Sequence, residues 1–103
     1  MSSTQITAAG QVDAALDEIL RVRATAMAQP PSVQRCLLLA ELADVEAAWW
    51  EELSERSRTR VYWRAALTAR EHAQHTARHW RVQATAQQCS EAVAAPRSEP
   101  GAV

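Results

Sequence analysis

The sequence predicts an all-α protein: a three- to four-helix bundle or long helical hairpin with disordered termini. Three observations lead there. Ala supplies 22 of the 103 residues and Phe is absent. Only two Gly and four Pro are present, too few for the turns of an all-β fold. Apolar residues recur at three- and four-residue intervals, the period of an amphipathic helix. A chain of this length is one domain. It divides into a flexible N-terminus at 1–10, a helical domain at 11–88 and a disordered C-terminal tail at 89–103. The main core is expected on 12–67.

The elements follow in order. Residues 1–10 are small and polar, end at Gly10, and read as a loose lead-in. The first helix is expected over Gln11–Ala28, where Val12, Leu16, Ile19 and Arg23 follow at spacings of 4, 3 and 4. Asp13, Asp17 and Glu18 precede Arg21 and Arg23, an order that suits the helix dipole. Asp17 and Arg21 are spaced for an i,i+4 ion pair. Pro30-Pro31 ends this helix, because neither residue can donate a backbone hydrogen bond. Ser32 then reads as the N-cap of a second helix running to residue 55. Its amphipathic stripe is Leu38, Leu42, Val45, Trp49 and Leu53. Glu41, Asp44, Glu51 and Glu55 lie on another face.

The stretch 54–59 (SERSRT) has no large apolar residue and is the expected turn, although it holds no helix breaker. From Arg60 the chain is helical again, with Tyr62, Ala66, Ala69, Ala73, Trp80 and Ala84 on one face and Trp80 as the main anchor. Thr68 and Glu71 fit the T-x-x-E capping box. A real cap there would split the region into helices at 60–67 and 69–88. After Gln88 the apolar content falls, and 91–103 reads as tail.

The net charge of −1 excludes a strongly basic or acidic protein, but the halves differ. Residues 1–52 carry −5 and residues 53–103 carry +4, and all 11 basic residues are Arg. Arg56, Arg58, Arg60, Arg64, Arg70, Arg78 and Arg81 sit among Tyr62, Trp63 and Trp80, a mixture able to neutralise phosphates and stack on bases. The same guanidinium groups could instead pair with Glu41, Asp44, Glu51 and Glu52 of the second helix. Trp49 and Trp50 are adjacent, about 100° apart on a helix, so one stripe cannot bury both. Trp50 and Trp63 are therefore the candidate partner-interface anchors.

No catalytic motif is present: no Gly-rich phosphate loop, no G-x-S-x-G, no H-E-x-x-H. The expectation is a protein that is not an enzyme and carries no cofactor. Cys36 and Cys89 form no metal or redox motif. His72, His75 and His79 fall on one helical face at ligand-like spacing. Without a fourth group from another helix they read as a half-solvated border, so no metal is assigned. No segment is apolar enough to span a membrane, and no basic-then-apolar leader opens the chain. The expected setting is cytoplasmic, without a membrane partner.

Residues 67–82, LTAREHAQHTARHWRV, resemble the helix-turn-helix of small bacterial sigma-factor-like DNA-binding proteins, whose first part reads L-[ST]-x-x-E-[IV]-A. Leu67, Thr68, Glu71 and Ala73 carry the match. Ala77 stands at the family's turn Gly, His72 at its buried aliphatic residue and Thr76 at its Leu. The resemblance implies a recognition helix headed by Arg78, His79 and Arg81 in the major groove. Trp50 mid-chain is also similar to the WXG-type helical hairpins, but Glu52 replaces their Gly. Two functions follow, the first ranked ahead of the second as its alternative. One is a DNA-binding or transcription-associated protein using Arg70, Arg78, His79 and Arg81. The other is a protein–protein interaction or oligomerisation module, a homodimer or a binder of another helical protein, using Trp50 and Trp63.

Overall fold

The computed structural model describes residues 3–94, with side chains from Gly10 onward. It is all-helical: α1 spans Ser3–Met27, α2 spans Val33–Arg56 and α3 spans Arg60–Ala94. The parts of the expected lead-in and tail at 1–2 and 95–103 lie outside the described residues. The described parts of both, 3–10 and 89–94, continue α1 and α3 as helix. Neither stretch contains proline. A single Gly10 costs a helix only about 1 kcal/mol, which favourable neighbours offset.

Both turns form where the sequence places them. Pro30 and Pro31 lie between α1 and α2. Ser32 has extended backbone (φ −157°, ψ 163°), and its Oγ accepts a 3.0 Å hydrogen bond from the Arg35 N–H, the N-cap geometry. At the other end, the Ser57 hydroxyl donates to the Leu53 carbonyl at 2.7 Å, and its N–H donates to the Ser54 carbonyl at 3.3 Å. Those bonds satisfy carbonyls that the end of α2 leaves free. The Trp63 N–H bond to the Thr59 carbonyl (2.9 Å) starts α3.

α3 is continuous for 35 residues. It has no turn at Thr68 or Ala77, so the two-helix division and the helix-turn-helix geometry expected at 67–82 are absent. A capping box acts only where the backbone leaves the helix, and nothing between Arg60 and Ala94 makes it leave. The threonines Thr76 and Thr85 turn their hydroxyls back onto the His72 and Arg81 carbonyls at 3.0 and 3.2 Å, and so stay compatible with a helix.

α2 is the central element. Its side toward α3 is a run of small buried residues, Cys36, Ala40, Ala43, Ala47 and Ser54. The facing run on α3 is Ala66, Ala73, Ala77 and Ala84. The alternating four- and three-residue spacing is that of an antiparallel coiled coil, and methyl-sized side chains let the axes approach to the short end of the 8–10 Å range. The core therefore extends to Ala84 and is not confined to 12–67. It also differs from the stripe read from the sequence. Leu38 and Val45 are 40% and 42% exposed, while Leu42, Trp49 and Leu53 are half-buried. The larger side chains of that stripe flank the contact, and the Leu that α2 does bury is Leu39, 1% exposed and outside the stripe.

α1 packs on a different side of α2. Val12, Ile19 and Ala26, seven residues apart, are its buried positions. Arg23 donates to Glu46 across this contact. No Cα atom of α1 lies within 8 Å of one in α3, so the three helices form an open layer and not a closed bundle.

Candidate functional site

α3 presents three surfaces beyond its Ala face, and the candidate residues are divided among them. On one edge, Arg81 pairs with Asp44 and Arg70 with Glu51 (3.5 Å). The carboxylates of α2 thus occupy two of the three guanidinium groups assigned to nucleic acid. Trp63 shares this edge at about 60° from the Ala face and is 44% exposed.

The outward surface carries Arg64, His72, His75, Arg78 and His79, all exposed. No carboxylate lies within 4 Å of Arg64 or Arg78 among the described residues. His79 meets Trp80 edge to face, with ring centroids 5.1 Å apart. Arg78 and His79, adjacent in sequence, diverge by about 100° around the helix. Hence Arg70, Arg78, His79 and Arg81 do not converge on one point. Among the described residues no group of three or more His, Cys, Asp and Glu side chains could hold a metal ion.

The second edge of α3 is apolar. Tyr62, Ala65, Ala66 and Ala69 join Trp50, Leu53 and Ser57 of the α2 side to line a half-open cavity of about 360 Å³. Trp50 is half-buried, and its indole N–H donates to Glu46 Oε2 at 3.1 Å. Glu46 thereby engages both Trp50 and Arg23. On α1, Leu16, Leu20 and Met27 share one arc, and Leu20 and Met27 are 57% and 48% exposed. Trp50 and Trp63 therefore belong to opposite edges of the α2–α3 pair, and only Trp50 lies in this cavity. Sequence reading missed Leu20 and Met27, whose signal was present: two large apolar residues seven apart and off the Val12–Ile19 stripe.

The Asp17–Arg21 pair expected from spacing is replaced by Glu18–Arg21. None of the described helices is long and apolar enough to cross a membrane. In comparisons with protein-family models, curated proteins and solved structures, the chain matches none, so the physical reading of its surfaces carries the functional conclusion.

Proposed function

We propose that this protein is a non-enzymatic helical interaction module that packs its open side against another helical surface and does not act through nucleic acid. The observation that carries this reading is the apolar cavity of the α2–α3 pair, lined by Trp50, Leu53, Tyr62 and Ala69, on a surface that also leaves large apolar side chains such as Leu20 and Met27 of α1 exposed. An apolar opening of this kind marks an association surface. The pairing of Arg70 with Glu51 and of Arg81 with Asp44 supports the same reading, because it engages cations that a phosphate backbone would need.

The test is fluorescence anisotropy of mixed-sequence duplex DNA at about 50 mM salt, where phosphate contacts are strong. The expected result is no saturable binding. Binding that weakens steeply with salt overturns the reading. A second reading, a DNA-binding or transcription-associated protein, is favoured by the exposed and unpaired Arg64 and Arg78 on the outward surface of α3. It expects that salt dependence, and a loss of affinity in Arg78→Ala.

A further inference from the structure

We propose that α1 is a hinged arm. It opens as a unit from the α2–α3 hairpin about the Pro30–Pro31 connection, with the Arg23–Glu46 pair as its latch, and opening uncovers Leu42, Trp49 and Leu53 of α2. The arm is a property of the free chain and stands whichever partner the cavity takes.

The two contacts on α2 differ in kind. Toward α3, Ala40, Ala43 and Ala47 meet Ala73, Ala77 and Ala84, and all six are buried. The ion pairs of that contact, Arg70–Glu51 and Arg81–Asp44, stay at its edge. Toward α1 the seam is interrupted. Val12, Ile19 and Ala26 are buried at every seventh position. The positions between them, at the four-then-three spacing of a helix seam, are Leu16 and Arg23, and both are half-buried. A cation thus interrupts the apolar row and is answered by Glu46. Closing the arm removes water from both charges, so the pair returns little net stability. A charged pair at one seam position sets register at a cost in stability. No second neighbour supports the arm: among the described residues, no Cα atom of α1 lies within 8 Å of one in α3.

The joint is weakly braced. Pro30 and Pro31 have no N–H to donate, and the chain passes through them without helix or strand. Rotation at a few connecting residues is enough to swing a helix. Arg35 spans the joint: its Nη1 donates to the Gln29 carbonyl at 2.7 Å, and its Nη2 to Met27 Sδ at 3.7 Å. Its Nε is buried without a partner among the described residues, a cost that the closed arm bears and opening relieves by hydration. Arg70 Nε carries the same cost at the α2–α3 edge, where the continuous Ala seam outweighs it.

What opening uncovers follows from the helical period. Leu42, Trp49 and Leu53 lie within about 60° of Glu46 around α2, and all three are half-buried. They belong to the amphipathic stripe of α2. With the arm away they adjoin Trp50, and the short cavity it lines becomes one end of a long apolar strip. Swinging α1 therefore changes how much apolar surface the hairpin presents, without unfolding it.

The test is native-state hydrogen exchange of the full chain, followed residue by residue in low urea. Amides of residues 12–27 are expected to exchange about 100-fold or more faster than those of the Ala seam, and to converge on one shared value as urea rises, the mark of a sub-global opening. Two variants separate an arm from a single cooperative fold. Ala73→Gly weakens the hairpin in the open and the closed state alike. It is expected to speed exchange at the Ala seam about fivefold and to leave residues 12–27 unchanged. Arg23→Ala removes the latch, which exists in the closed state alone. It is expected to speed exchange at residues 12–27 and at the seam by the same factor. Equal protection of α1 and the seam, or faster exchange of residues 12–27 in Ala73→Gly, overturns the arm. Protection that rises smoothly from residue 12 to residue 27 is fraying, and overturns opening as a unit. Unchanged exchange of residues 12–27 in Arg23→Ala overturns the latch.

Discussion

Glu46 illustrates how little polar chemistry this interior contains and how much depends on it. Its two carboxylate oxygens bond Arg23 and the Trp50 indole, and the Arg23 and Glu46 side chains are 30% and 19% exposed. Removing it leaves a part-buried cation and an indole N–H without their partner, a larger loss than the bond itself. Glu46→Ala is expected to cost about 1–3 kcal/mol, with a change in Trp fluorescence, measured by urea unfolding. A variant as stable as the parent would show that the pair is idle. By contrast, Asp44 and Arg81 are 47% and 52% exposed, and an exposed pair contributes about 0.2–1 kcal/mol. The Ala positions matter more than either edge pair. Ala73 is 2% exposed at the α2–α3 contact. Ala73→Leu forces the helices apart and is expected to destabilise by about 1–3 kcal/mol or more, seen as a lower denaturation midpoint.

At the scale of the element, α3 is the case where local signal and structure part. Thr68-x-x-Glu71 and the sigma-factor-like match both placed a break in it, yet the helix continues. Ala77 separates the two alternatives by experiment. In a continuous helix with a buried position 77, Ala77→Gly costs about 1 kcal/mol in propensity plus a lost methyl contact. At the turn of a helix-turn-helix the same change would be neutral or stabilising. A lower thermal midpoint is the expected result. Gly10 tests α1 in the opposite sense. A Cβ there meets nothing within 4 Å, so Gly10→Ala is expected to stabilise by about 0.5–1 kcal/mol. No gain would place residue 10 outside the helix, as its sequence alone suggested. The α1–α2 and α2–α3 turns were legible because their signals are steric or local: two prolines, one serine cap and a six-residue polar stretch.

At the scale of the molecule, the layer is open because α1 and α3 use different sides of α2. The three histidines face solvent on the outward side of α3 without a converging ligand from another helix. Excess Zn²⁺ is therefore expected to leave the thermal midpoint unchanged, since an ion bound to the native state would raise it. A rise would reinstate His72, His75 and His79 as ligands.

By itself the sequence determined the helical class, the places of both turns and the charge division between the halves. Each of these is set by backbone sterics, local capping or composition, which need no partner element. Only the tertiary structure decided which stripe is buried, which carboxylate meets which guanidinium, and that Leu20 and Met27 are left outside. Periodicity marks a helix face but ranks large apolar residues above small ones. Packing here buried Ala40, Ala43, Ala47, Ala73 and Ala77 together with Leu39 and left Leu38 and Val45 at the flanks, because position around α2 relative to its neighbours, and not side-chain size, decides what is enclosed.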